Sequence, residues 1–141
     1  MRKKILDFLK RNHLMVISTI NLEGEPQSAV VGFTELHSLE IIFGTHNTTR
    51  KYGNLQKNKH VSLVIGWDFE EKITVQYEGI AKEIIGDEMK KYQKLHIEKR
   101  PKREKHVNDS KERVFKIEPK WIRYSDLSKD PLEIFEIDFS K

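Results

Sequence analysis

The chain has 141 residues, no cysteine, and 26 lysines and arginines against 22 acidic residues, for a formal net charge of +4. The absence of thiols excludes disulfides, thiolate metal sites and cysteine nucleophiles. The modest positive balance suits an anionic ligand and permits weak contact with nucleic acid, and the length fits one domain over residues 1–141 with a core that needs no covalent staples.

The N-terminus, Met1-Arg2-Lys3-Lys4, is basic, but the apolar stretch after it is too short and too charged for a signal peptide. No apolar run approaches membrane-spanning length. The expectation is a cytoplasmic protein. Residues 1–12 read as a short amphipathic helix, with Ile5, Leu6, Phe8 and Leu9 on one side. Residues 14–21 are apolar and β-branched and predict a strand. The turn signals from Asn21 to Glu25 and the following Pro26 then lead to a second strand over 27–35, making a hairpin. A third strand is expected over 39–45 and a helix over 48–58. Strands over 60–67 and 72–85 follow, separated by the acidic turn Asp68 to Glu71.

Residues 87–99 switch to helical spacing, with Met89, Tyr92, Leu95 and His96 on one face. Residues 99–110 are charged, contain Pro101 and read as a loop. Residues 112–118 make the last barrel strand, Trp121 to Asp126 follow Pro119, and 132–139 alternate again. Many short strands with interspersed short helices predict a mainly β fold, a small barrel with α-helices, rather than a doubly wound sheet. None of the seven glycines builds a G-x-G-x-x-G or Walker loop.

The most informative stretch is Ile42-Phe43-Gly44-Thr45-His46-Asn47-Thr48-Thr49-Arg50-Lys51. An apolar strand ends in a polar corner that opens a helix, where free N–H groups and the positive dipole end favour an anion. Arg50 offers a planar fork of donors and Lys51 a point charge. An ordinary N-capped helix, with Asn47 or Thr48 as cap and solvated cations, has the same pattern.

The run continues Tyr52-Gly53-Asn54-Leu55-Gln56-Lys57-Asn58-Lys59-His60-Val61-Ser62-Leu63. Together with Ile17-Ser18-Thr19-Ile20 before it and Val75-Gln76-Tyr77-Glu78-Gly79-Ile80-Ala81 after it, this resembles the FMN-binding split-barrel proteins, pyridoxamine 5'-phosphate oxidase and its relatives. The likeness is close over roughly residues 5–86 and looser elsewhere, and Lys59 stands where that family usually has proline. It implies a six-stranded split β-barrel that forms a homodimer, with FMN in a groove at the subunit interface.

On the matching positions, the resemblance implies that Thr45, Thr49, Arg50 and Lys51 hold the phosphate and nearby ribityl oxygens. The backbone of Ser28, Ala29, Val30 and Val31 would lie along the flavin ring; an Ala-Val-Val run is also ordinary barrel core. Gln76 falls in the strand that supplies a contact from the partner subunit, although a solvated strand glutamine is the plainer reading. Tyr124 matches an aromatic placed near the flavin from the other subunit, or is simply a buried or interface aromatic.

Departures separate the chain from the oxidase itself. Ser28 and Ala29 stand where the oxidase has an arginine. Ile122-Arg123-Tyr124-Ser125 does not match its substrate-gripping C-terminal segment, and Arg100-Pro101 echoes its substrate loop without the flanking tyrosine and serine. The pattern is nearer the short relatives of general-stress and nitroimidazole-resistance type. The expectation is a flavin-dependent oxidoreductase of unassigned substrate; the rival is a non-enzymatic carrier or sensor of flavin or haem, and a deazaflavin is a further ligand found on this fold. No catalytic residue is assigned.

The six histidines, His13, His37, His46, His60, His96 and His106, lack zinc-site spacing. The basic run from Lys99 to His106 reads as a solvated loop. Its rival role, polyanion binding, lacks aromatics for base stacking and a recognition helix.

Overall fold

Alternation of buried and exposed residues along the strands fixes which face of the sheet meets the core, and the order of the strands closes that sheet into a barrel. The computed structural model describes residues 1–106 and 109–140. In chain order the elements are α1 (Arg2–Lys10), β1 (Leu14–Ile20), β2 (Pro26–Gly32), β3 (Thr34–Glu35), β4 (Ile41–His46), α2 (Arg50–Lys57), β5 (His60–Ile65), β6 (Ile73–Ile84), α3 (Asp87–Lys99), a 3-10 helix (Pro101–His106), β7 (Glu112–Asp126) and β8 (Glu133–Asp138).

The antiparallel sheet runs β2-β1-β5-β6-β7-β4-β3, and β8 pairs with the second half of β7. Its two ends, β2 and β3, are consecutive in the chain and separated only by Phe33, so the sheet curls until its edges meet there. Six strands, β1, β2 and β4 to β7, form the barrel; β3 has two residues and β8 lies outside the main path. The result is mainly β with three helices, a split barrel.

The interior holds Met15, Ile17, Phe33, Phe43, Leu63, Tyr77, Phe115 and Ile122, all essentially inaccessible. α1 adds Ile5, Phe8 and Leu9, each fully buried, with Phe8 edge-on to Tyr124 at 6.3 Å. α3 covers the opposite face of β4 and β7, where Ile42, Ile84, Tyr92 and Val114 make a second, smaller core. Burying one large aliphatic or aromatic side chain contributes about 1.5–3 kcal/mol, so α1 and α3 are fixed components of the fold rather than appendages.

Three expectations from sequence need correction. The second strand does not run to residue 35; it ends at Gly32, and Thr34–Glu35 crosses to pair with β4. β7 is one 15-residue strand through Pro119, because a bulge opposite Glu78 and Gly79 takes the proline, which has no N–H to donate to a ladder. Residues 99–110 are not an open loop: Pro101–His106 is a 3-10 helix. Residues 107 and 108 of that stretch lie outside the described residues.

Candidate functional site

The N-terminus of α2 is built by β4. Thr49 is its N-cap, with extended backbone (φ −79°, ψ 156°) and a hydroxyl that accepts from the Tyr52 N–H at 3.3 Å. The cap is therefore neither Asn47 nor Thr48. Thr49 Oγ1 also donates to the His46 carbonyl at 3.0 Å and lies 3.0 Å from the buried Thr45 Oγ1. Both threonines thus shape the corner from within, their hydroxyls engaged with each other and the turn.

Three anchors fix where this helix points. Leu55 is fully buried in the barrel core. Tyr52 packs edge-on to Phe115 at 5.9 Å and donates to Glu83 at 3.0 Å. Asn54 Nδ2 donates to Thr19 Oγ1 at 2.9 Å and Gln27 Oε1 at 3.0 Å, tying the helix to the β1–β2 hairpin. Sequence reasoning missed Asn54, Thr19 and Gln27. The spacing of Asn54 four residues after Arg50, on the same helix face, was the available signal.

Between that helix end and the hairpin lies a cavity of about 90 Å³. Arg50 and Lys51 line one side, and Ser28, Ala29 and Gln27 of β2 the other. The structure therefore brings the cation pair and the first half of the β2 segment into one place. Arg50 is exposed and Lys51 half-buried. Partial burial pulls the Lys51 ammonium below its ordinary pKa, because desolvation disfavours charge. Among the described residues, neither cation has a carboxylate within ion-pair distance. Two neighbouring uncompensated cations at a helix N-terminus are arranged to hold an anion.

The remaining candidates sit elsewhere in the protomer. Val30 is exposed on the outer sheet face, in a register row with Val16, Val64 and Gln76, and Val31 is half-buried on the opposite face. Gln76 is exposed on that outer face, beside Arg123. Tyr124 is in the core, stacked on Phe135 at 5.0 Å, and does not line the cavity of its own protomer.

The basic run is part internal contact and part solvated surface: Lys102 and Lys105 are exposed, as a solvated loop predicts, but three other cations are not. Lys99 pairs with Glu35 with both side chains nearly buried, and donates to the Leu9 carbonyl at 3.0 Å. Arg100 donates to the His13 carbonyl at 2.7 Å, and Arg103 pairs with the buried Glu112. These arginines and this lysine are spent holding α3 and the 3-10 helix to the barrel. His96 is buried with its Nδ1 2.7 Å from Thr34 Oγ1, and desolvation pushes its pKa down to about 4. Among the described residues, no three His, Asp or Glu side chains stand together as a metal site. No helix there is long and apolar enough to cross a membrane.

The profile of a family described as pyridoxamine 5'-phosphate oxidase matches residues 1–126. A pyridoxine/pyridoxamine 5'-phosphate oxidase of Bacteroides fragilis is 35% identical over 78 residues, covering 55% of this chain and 33% of that protein. The chain spans about a third of the length of the curated relatives it matches. Among solved structures, a haem-binding protein from Mycobacterium smegmatis superposes with a TM-score of 0.77 at 16% identity, covering 90% of this chain and 53% of that one. A Clostridium acetobutylicum protein related to general stress protein 26 gives 0.75 at 11% identity, covering 99% and 94%. At those identities the structures share the fold alone.

Proposed function

This chain belongs to the pyridoxamine 5'-phosphate oxidase family, and we propose on that footing that it is an FMN-binding flavoprotein, a flavin-dependent oxidoreductase of the short type. One observation carries the reading: Arg50 and Lys51, without carboxylate partners among the described residues, face the β2 backbone across one cavity at the N-terminus of α2. The residues fit the cofactor. A dianionic phosphate relieves the desolvated Lys51 and takes bidentate donation from Arg50. The Ser28–Val31 strand offers an extended edge for a flat ring.

When bound, the flavin supplies the hydride- or electron-accepting ring. This chain anchors the phosphate, orients the ring along β2 and shields one face. The site is completed in a homodimer. Val30, Val64 and Ile134 are exposed on the outer sheet face, and the loop residues Trp67 and Leu127 lie beside Val64; we assign this apolar surface to a second copy. The partner's Gln76, on that outer face, is the residue we assign to the far side of the ring; Tyr124 is held in the core against Phe135 and is not assigned to it. The lack of cysteine suits a reducing, cytoplasmic setting.

The test is a comparison of FMN with riboflavin, which lacks the phosphate. Replacing Arg50 and Lys51 by alanine removes two charge-assisted contacts. It is expected to weaken FMN binding by about a hundredfold or more, with a far smaller effect on riboflavin. Equal affinities of wild type and double variant for FMN overturn the phosphate assignment. A Soret band in the isolated protein favours the carrier reading with haem instead, and steady-state oxidation of a reduced nicotinamide separates enzyme from carrier.

A further inference from the structure

The 3-10 helix that follows α3 reaches the anion corner from outside the barrel. Arg103 projects from it onto β4 and pairs with Glu112, whose side chain is only 5% exposed. That contact needs Gly44. A Cβ at this position would lie 2.4 Å from Glu112 Oε1 and 2.7 Å from the Arg103 guanidinium, so any side chain here would displace the pair. Glu112 is also the register partner of His46, the last residue of β4. Its second oxygen lies 3.7 Å from His46 Nε2, and Asp109 Oδ2 approaches the same nitrogen at 3.0 Å.

His46 in turn carries the corner. Its carbonyl accepts from both the Thr49 N–H at 3.2 Å and the Thr49 hydroxyl at 3.0 Å, closing the turn that ends in the N-cap of α2. The next residue of the turn, Asn47, donates its N–H to the Lys111 carbonyl at 2.8 Å, beside Glu112 in the chain. A continuous set of contacts therefore runs from Arg103 through Glu112 and His46 to the Thr49 cap.

We propose that Glu112, clamped between Arg103 and His46, is a positioning residue for the anion corner: it fixes the His46–Thr49 turn so that the α2 N-terminus, Arg50 and Lys51 meet a phosphate in one geometry. This gives the 3-10 segment a task at the site although none of its described side chains lines the cavity. It rests on the phosphate reading above, and the experiment separates the two.

The variant is the double substitution Arg103→Gln and Glu112→Gln. It leaves net charge unchanged, so the long-range field on a phosphate is preserved and any loss is positional. Dissociation constants for FMN and for riboflavin are measured on the purified full chain by flavin fluorescence. The expected result is that the preference for FMN over riboflavin falls about tenfold, the worth of one misplaced charge-assisted hydrogen bond, with riboflavin affinity held. A merely structural role weakens both ligands together and overturns the proposal, as does an unchanged preference. His46→Gln, at a partly exposed side chain, is the second variant should the first not fold; the same fall is expected, and an unchanged preference contradicts the proposal. If wild type itself shows no preference for FMN, the phosphate reading fails first, and this proposal falls with it.

Discussion

His96 is expected to make the protein sensitive to acid. Its ring is buried against α3 and the barrel, hydrogen-bonded to Thr34, and surrounded by Arg103, Arg100 and Lys99, so the folded state resists its protonation. The folded pKa of about 4 lies below the ordinary value of 6.5. Between those values the unfolded chain binds the proton and the folded chain does not, so stability is full above pH 6.5 and falls as pH drops toward 4. The integrated loss is about 3 kcal/mol. Urea denaturation across that window is expected to show this decline in wild type and a flatter curve in His96→Gln. An unchanged slope in the variant shows that other groups carry the acid sensitivity. Helical spacing had already placed His96 on the inner face of its helix. Its neutrality was not legible, because Thr34 and the barrel surface that bury its ring come from a distant part of the chain.

α2 divides its residues between the cavity and the fold. Leu55, Tyr52 and Asn54 hold it, Arg50 and Lys51 face the cavity, and Gly53 does neither, with open space where its Cβ would be. Gly53→Ala is expected to stabilise the protein by about 0.5–1 kcal/mol, from helix propensity alone, and to leave FMN affinity unchanged. A destabilised variant in thermal melts implies a contact at this position that the space around it denies. The existence and type of this helix were legible from the basic start and the Asn58 stop. Its cap was not, because three capping residues stand in a row, and only the turn closed by His46 selects Thr49. Pro119 misled for a related reason. A proline normally argues against a continuous strand, yet a bulge against Gly79 accommodates it. Part of the basic run from Lys99 misled because the partners of Lys99 and Arg100, Glu35 and the His13 carbonyl, lie far away in sequence.

At the scale of the whole molecule, the barrel presents a sheet face that its own chain leaves uncovered. The row Val30, Val16, Val64 crosses three strands, and Trp67, Leu127 and Ile134 extend the apolar surface. Placing a charge in the middle of such a contact is costly, because it is desolvated without a partner. Val30→Glu is expected to turn a dimer into a folded monomer in light scattering and to lower flavin retention with it. A variant that remains dimeric moves the interface off this face. A small barrel and its first hairpin were legible from short strands and turn residues, and the cation pair at a helix start from a strand that opens a helix on Thr-Arg-Lys. What the sequence left open was the meeting of Arg50 and Lys51 with Ser28 and Ala29, which depends on the Asn54 bridge to Thr19 and Gln27.

The central claim, that the cavity at the α2 N-terminus holds the phosphate of FMN, is tested most directly by the visible absorption spectrum of the purified protein, incubated with FMN and desalted. Retained flavin bands, about one flavin per protomer, are the expected result. A folded, dimeric protein that leaves the column with no flavin contradicts the account.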